Sequence, residues 1–161
     1  MQDDDVALAI ANGLRGRSVA CAESCTAGRL SAVFASVAGS ADWFRGGVVA
    51  YQVPVKRSLL GVQARSVFTE QAASEMALGA ARLLAADIAV AVTGVAGEEP
   101  QDGVPGGTVM IATYVEGFTR SHTYRFSGDA EEICDRARRA ALDILLNSMR
   151  DHDAVDHPRS A

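Results

Sequence analysis

The feature that most constrains the fold is a pair of short, almost wholly apolar segments, SVACAE at residues 18–23 and DIAVAVT at residues 87–93. A strand that is covered on both faces reads as a nearly continuous apolar run, because neither face meets water. Helical patterns flank both segments along the chain. The sequence therefore predicts an α/β fold, a three-layer α/β/α sandwich whose sheet is buried between helices.

Apolar periodicity and turn residues predict the other elements. Helices are expected over residues 3–14, 28–37, 55–60 and 69–85 and from Asp129 onward, and further strands over residues 46–52, 108–115 and 118–126. Glu116 and Gly117 form a hairpin turn between the last two strands, which makes the β-sheet mixed. We predict one domain over residues 1–150 and a polar, disordered tail over residues 151–161.

Composition excludes several classes of function. The chain has 161 residues and a net charge of −5, and no basic stripe suggests a nucleic-acid partner. No apolar run approaches the roughly 20 residues of a membrane span. His122 is the one histidine outside the polar C-terminal region, which argues against a Ser-His-Asp hydrolase and a multi-histidine metal site. We therefore expect no metal and no cofactor.

The cysteines and the N-terminus indicate where such a chain works. Cys21 and Cys25 have C-x-x-x-C spacing and Cys134 is distant, which matches neither a zinc knuckle nor a C-x-x-C redox motif. The N-terminus is acidic, unlike that of a secretory signal. We expect reduced thiols and a cytoplasmic location.

The first candidate site is the segment at residues 23–28, where a strand ends and a helix begins. Its residues are Glu23, Ser24, Cys25, Thr26, Ala27 and Gly28. Unpaired N–H groups at a helix start can hold a phosphate or an oxyanion, and Ser24 and Thr26 add hydroxyls. The alternative is an ordinary helix cap by one of these hydroxyls.

The second candidate site contains the single lysine. Of the fifteen basic residues fourteen are arginine, and the exception is Lys56. Arginine cannot serve as a proton-transfer base, whereas a buried lysine can. Tyr51 ends the strand that begins at Gly46 and Gly47, and a five-residue turn can bring its phenol to the lysine amine. The alternative is a solvated lysine beside a tyrosine whose hydroxyl contacts water.

The third candidate site follows the apolar strand that ends at Thr93. Gly94 and Gly97 there allow close approach of a ligand to the backbone. If this strand is parallel to the one ending at Glu23, both loops leave the same edge of the sheet, where open α/β sheets bind ligands. The alternative is a long surface loop over residues 94–107.

Four segments together resemble the CinA carboxy-terminal domain family, the nicotinamide-nucleotide amidohydrolases. They occur in the family's order and spacing over residues 5–148. The first is ESCTAG at 23–28, which is similar to AESCTGG, and the second is WFRGGVVAY at 43–51 followed by Lys56. The third is AVTGVAG at 91–97 followed by Pro105 and residues 107–109, which is similar to TGIAGP…PVGTV. The fourth is FSGD at 126–129.

The resemblance implies deamidation of nicotinamide mononucleotide to nicotinate mononucleotide and ammonia, with a serine nucleophile and tyrosine and lysine partners. These roles carry over to Ser24, Tyr51 and Lys56. We expect the substrate to contact Glu23, Cys25, Thr26, Ala27, Gly28, Gly46, Gly47, Thr93, Gly94 and Gly97. The main-chain N–H groups near Thr26 and Ala27 would hold the oxyanion.

The chemistry sets a condition on the lysine. Only a neutral Lys56 amine could take the Ser24 proton, directly or through Tyr51. Burial, or a neighbouring cation such as Arg45 or Arg57, would have to lower its pKa.

The chain departs from the family pattern around this machinery. The departures are Ala27, Ala41, Val53-Pro54, Glu98-Glu99 and Ala130. The alternative function is accordingly a non-catalytic nucleotide-binding or regulatory relative on the same fold. The strand over residues 118–126 also offers an edge for a homo-oligomer.

Overall fold

The computed structural model describes residues 2–156. Five helices, a short 3-10 turn and five strands follow one another along the chain. They are α1 (Asp3–Gly13), β1 (Val19–Glu23), α2 (Arg29–Ser36), a 3-10 turn (Ser40–Asp42), β2 (Phe44–Val49), α3 (Val53–Leu60), α4 (Glu70–Leu83), β3 (Ile88–Gly94), β4 (Thr108–Val115), β5 (Phe118–Arg125) and α5 (Ala130–Asp156).

The strands form one mixed sheet in the order β2-β1-β3-β4-β5. The first three are parallel, with Glu23 beside Val49 of β2 on one side and Val92 of β3 on the other. The last two pair antiparallel across the turn at Glu116 and Gly117. The fold is therefore the predicted α/β architecture with a mixed sheet between helices, and the carboxyl ends of β1, β2 and β3 share one edge.

The two faces of the sheet are packed differently. On one face, branched side chains of β1, β3 and β4 pack with α1, α2 and the long α5. On the other face the strands present mainly alanines, including Ala20, Ala22, Ala89 and Ala91, to an alanine-rich α4. Small side chains let α4 lie close to the sheet, and α3 packs beside it. Both faces of β1 and β3 are thus covered, as their apolar sequences predict.

Local capping signals are confirmed. Thr69 accepts a hydrogen bond from the Ala72 N–H at the start of α4. At the start of α5, Asp129 and Glu132 each accept a hydrogen bond from the other's main-chain N–H, so the predicted capping box is present.

Two predicted boundaries were wrong. The strand predicted from Gly46 begins instead at Phe44 and ends at Val49. Residues 151–156 are not a disordered tail, because α5 continues to Asp156. Arg17, at the other end of the chain, forms ion pairs with Asp153 and Glu116 that anchor this last part of the helix. The rest of the predicted tail, residues 157–161, lies outside the described residues.

Within residues 2–156, no helix combines the length and the hydropathy needed to cross a membrane.

Candidate active site

The predicted convergence of loops at one edge of the sheet is confirmed. A cleft of about 440 Å³ opens beyond the carboxyl ends of the parallel strands. Its walls come from the loops that follow β1, β2 and β3 and from the segment before α4. The lining residues are Ser24, Cys25, Tyr51, Gln52, Val53, Pro54, Lys56, Val67, Phe68, Gly94, Ala96, Gly97 and Gln101.

Ser24 is held immediately after β1. Its N–H donates to the Val92 carbonyl at 3.0 Å, which continues the pairing of β1 with β3 for one residue. Its carbonyl accepts from the Ala27 N–H at 3.0 Å, which closes a turn in which Ala27 and Gly28 both have positive φ. Ser24 is therefore a buried hydroxyl at the mouth of the cleft, fixed on both sides by the main chain.

This turn changes which N–H groups are available to a ligand. The Ala27 N–H is already used, so one of the two predicted oxyanion donors is unavailable. Among the described residues, the N–H groups of Cys25 and Thr26 have no protein partner. The Thr26 hydroxyl is also buried without a partner. The free main-chain N–H groups nearest to Ser24 in the chain therefore belong to the next two residues, Cys25 and Thr26.

Glu23, which the sequence predicts to contact the substrate, does not line the cleft. It is fully buried, and its carboxylate faces the first turn of α2. It accepts from the Leu30 N–H at 2.9 Å, the Ser31 N–H at 3.0 Å and the Ser31 hydroxyl at 2.6 Å. The protein's own carboxylate therefore occupies the anion-binding place that the sequence suggested for a phosphate.

Lys56 is only 2% exposed, although it lies on the short surface helix α3. Its Nζ donates to the main-chain carbonyl of Tyr51 at 2.9 Å. Burial lowers the pKa of the Lys56 amine below its usual value, and the nearby Cys25 acts in the opposite sense. The lowering thus arises from burial and not from Arg45 or Arg57, which were the alternative source.

The predicted contact between the tyrosine phenol and the lysine amine was wrong. The lysine contacts the Tyr51 main chain, while the Tyr51 side chain is 66% exposed at the rim of the cleft. Pro54, with its fixed φ, lies in the first turn of α3, and the turn from Val49 to Val53 directs only the lysine inward. In the described residues no hydrogen bond joins Ser24 to Lys56 or to Tyr51.

Several predicted substrate contacts lie away from the cleft. Gly46 and Gly47 are inside β2, and a Cβ on Gly47 would come within 2.0 Å of the Ser31 hydroxyl. This glycine lets α2 pack closely on the sheet. Thr93 is buried and donates through Oγ1 to the Val67 carbonyl at 3.0 Å, which holds one wall of the cleft in place. Thr26, Ala27 and Gly28 shape the turn behind Ser24 and do not line the cleft.

The loop at residues 94–107 is ordered by its own main-chain bonds. The Val95 N–H donates a hydrogen bond to the Thr108 carbonyl, and the Val95 carbonyl accepts one from the Gly107 N–H. The main-chain N–H groups of Gln101 and Val104 each donate to the other residue's carbonyl. Gly94 and Gly97, which the sequence predicts to contact the substrate, line the cleft, whereas Glu98 and Glu99 are exposed beside it.

Sequence reasoning missed the residues that give the cleft its apolar wall and outer rim. They are Gln52, Val67, Phe68, Ala96 and Gln101. The one sequence signal for these residues was the position of Phe68 next to the Thr69 helix cap. The segment before α4 must return to the edge of the sheet there, which brings Phe68 to the cleft. Within residues 2–156, no three His, Cys, Asp or Glu side chains are grouped as a metal site requires.

Known proteins share this architecture. A CinA superfamily protein from Klebsiella pneumoniae superposes with a TM-score of 0.88 at 34% identity, covering 94% of this chain and 99% of that one. A CinA superfamily protein from Escherichia coli gives a TM-score of 0.86 at 31% identity, covering 90% of this chain and 89% of that one.

Sequence comparisons agree. The CinA-like protein of Thermotoga neapolitana is 38% identical over 144 residues, 84% of this chain and 34% of that protein. The CinA-like protein of Mycolicibacterium paratuberculosis is 40% identical over 155 residues, 88% of this chain and 35% of that protein. The chain thus spans about a third of these relatives. Residues 4–149 match the model of the CinA C-terminal domain, and the chain belongs to that family.

Proposed function

We propose that the protein is an amidohydrolase that deamidates nicotinamide mononucleotide to nicotinate mononucleotide and ammonia. The observation that carries the proposal is the single lysine, which is buried with its amine held at the cleft that Ser24 also lines. Burial lowers the pKa of the amine and so favours its neutral form, which can accept a proton, whereas arginine stays charged. No histidine is near enough to Ser24 to replace it among the described cleft residues.

In this mechanism Lys56 takes the proton of Ser24, and the Ser24 Oγ attacks the carboxamide carbon. The free N–H group of Cys25, a residue that lines the cleft, stabilises the oxyanion of the tetrahedral intermediate. Lys56 then returns the proton to the leaving nitrogen, and ammonia departs. Water, activated by the same amine, hydrolyses the acyl-enzyme and frees nicotinate mononucleotide.

The substrate's own charge favours this assignment. Nicotinamide mononucleotide carries a cationic pyridinium ring, which would repel a protonated lysine and therefore favours the neutral amine in the complex. Tyr51 and Phe68 flank the cleft and offer aromatic faces to a cationic ring. We assign Tyr51 two functions, with its carbonyl orienting the amine and its phenol contacting the substrate at the rim.

Two observations favour the alternative, a non-catalytic nucleotide-binding relative. Ser24 and Lys56 share no hydrogen bond in the described residues, and Glu98 and Glu99 place negative charge beside the cleft. Catalysis therefore needs the Ser24 hydroxyl and the amine to approach each other when substrate binds, which catalytic groups commonly do.

Ammonia release distinguishes the two functions. Purified wild-type protein is incubated with nicotinamide mononucleotide, nicotinamide riboside or nicotinamide. The Ser24→Ala variant, incubated in the same way, is the matched control. We expect ammonia from the mononucleotide and none with the variant. Binding of the mononucleotide without ammonia release by the wild-type protein would contradict the amidohydrolase and support the alternative. We further propose a cytoplasmic location, which suits the three free thiols.

A further inference from the structure

Two buried thiols lie beside the proposed nucleophile, and the deamidation mechanism uses neither. Cys25 follows Ser24 and lines the cleft. Cys134 lies near the start of α5, on the helix that packs behind the Ser24 turn. The two residues are 109 positions apart in the chain, and the fold alone brings them together.

The contact between them is direct. Cys134 Sγ donates to the main-chain carbonyl of Cys25 at 2.9 Å. Besides this main-chain bond, the two thiol side chains interact. The interaction with the Cys134 thiol, together with burial, raises the pKa of Cys25. The interaction with the Cys25 thiol, assisted by the Arg29 guanidinium, lowers the pKa of Cys134, so Cys134 is the more acidic thiol of the pair.

The third cysteine is an internal contrast. Cys21 lies on β1 beneath α2, where burial raises its pKa to about 12. Its sulfur contacts the Ser31 hydroxyl at 3.1 Å and the Glu23 carboxylate at 3.9 Å. A thiol of this kind is inert toward oxidants, because the thiolate is the reactive form.

We propose that Cys25 and Cys134 are a modification site at which hydrogen peroxide forms a reversible disulfide next to Ser24. The Cys134 thiolate attacks the peroxide, the O–O bond breaks, and the products are a Cys134 sulfenic acid and, after proton transfer, water. Cys25 sulfur then attacks Cys134 sulfur, the S–O bond breaks, and hydroxide leaves with the Cys25 proton as a second water. Two thiols lose two electrons and the peroxide gains them.

The disulfide alters the cleft. Bonding Cys25 to α5 draws the residue that follows Ser24, and one of the two free N–H donors, away from the cleft. A displacement of about 1 Å at a catalytic group can cost on the order of 100-fold in rate. Formation of the disulfide is independent of the proposed deamidase function, but this effect on rate rests on it. We expect ammonia release to fall by roughly 10- to 100-fold on oxidation and to return with a thiol reductant.

The test compares full-length wild type, Cys134→Ser and the matched control Cys21→Ser after treatment with hydrogen peroxide. Non-reducing peptide mapping is expected to find a Cys25–Cys134 disulfide in the wild type and in Cys21→Ser, and none in Cys134→Ser. Cys134→Ala serves as a second variant if Cys134→Ser misfolds. Free thiols or Cys134 sulfinic acid in place of the disulfide would overturn the proposal.

The two proposals fail separately. A reversible disulfide in a protein that never releases ammonia would support the modification site and contradict the deamidase. If the protein releases ammonia, and peroxide neither changes that release nor forms a disulfide, the deamidase is supported and the modification site is contradicted.

Discussion

Glu23 and Lys56 are the two charged side chains that the described part of the chain buries, and their surroundings differ. Glu23 accepts three hydrogen bonds from N–H and O–H groups, two of them main-chain N–H groups at the start of α2, and a longer one from the Cys21 thiol at 3.9 Å. Lys56 donates one, to a single carbonyl, although an ammonium has three protons to share. The carboxylate is satisfied by the fold, whereas the amine keeps donor capacity that the fold leaves unused.

The difference fits a structural role for Glu23 and the proposed catalytic role for Lys56. A buried ion without full compensation destabilises the protein by several kcal/mol or loses its charge. Glu23 is compensated and secures the turn behind Ser24. Lys56 is not, and its lowered pKa is the consequence. A poorly compensated amine that faces a cleft is what a proton-accepting base requires.

The largest expected effect is that of Ser24→Ala, which removes the proposed nucleophile next to Glu23 in the chain. We expect ammonia release to fall by about 10⁴-fold or to background, because the hydroxyl proposed to form the acyl-enzyme is gone. Ser36→Ala, at the exposed end of α2, is the matched control and is expected to retain activity. Substantial activity in Ser24→Ala would remove the serine from the mechanism.

The second-largest expected effect comes from replacing Lys56, the uncompensated ion. Lys56→Met is expected to lower kcat by about 10³-fold while leaving the protein as stable or more stable, because an unsatisfied charge is removed. Lys56→Arg keeps the charge and is also expected to be inactive, since arginine cannot accept the proton. Kinetics and urea unfolding measure both effects.

The control for this pair is Arg65→Met, which removes an exposed cation near the same cleft wall. It is expected to change neither rate nor stability. An active Lys56→Arg enzyme would show that only positive charge is needed there.

Replacing Glu23, the compensated ion, is expected to act mainly on stability and less on rate, the reverse of Lys56→Met. Glu23→Gln retains the shape but presents an amide where three donors converge, so we expect a loss of about 1–3 kcal/mol in the free energy of unfolding. The rate is expected to fall by about tenfold through displacement of the Ser24 turn. Glu131→Gln, an exposed residue of α5, is the control. A Glu23→Gln protein of unchanged stability would mean that the carboxylate does not secure α2.

The smallest expected effect is on the pH dependence of stability. The pKa of Lys56 is lower in the folded than in the unfolded protein, so unfolding takes up a proton between the folded pKa and the ordinary value of 10.5. The cost of burying the charge is therefore complete below the folded pKa and disappears as pH rises to 10.5. We expect the stability advantage of Lys56→Met to shrink over this range. An advantage that is constant with pH would contradict the lowered pKa.

The sequence predicts the parts of the molecule that depend on neighbouring residues. The caps at Thr69 and Asp129, the hairpin at Glu116 and the apolar strands each carry their signal within a few residues. The shared edge at Ser24 and Gly94 also follows, because parallel strands release their loops on the same side.

Other features depend on packing that no local pattern encodes. The extension of α5 to Asp156 is supported by Arg17, 136 positions away from Asp153. Glu23 faces α2 because strand alternation places it on the side of Cys21, and only the fold brings the Ser31 hydroxyl to it. The orientation of Tyr51 follows the turn before Pro54. The thiol pair of Cys25 and Cys134 likewise has no sequence signal.

The most direct test of the central claim uses the single lysine. Lysine labelled with ¹³C and ¹⁵N gives one side-chain signal from this chain, and that signal belongs to Lys56. An NMR titration of the folded protein is predicted to show a pKa below 10.5, the ordinary value. A pKa at or above 10.5 would contradict the account, because Lys56 would then be a buried cation and not a base.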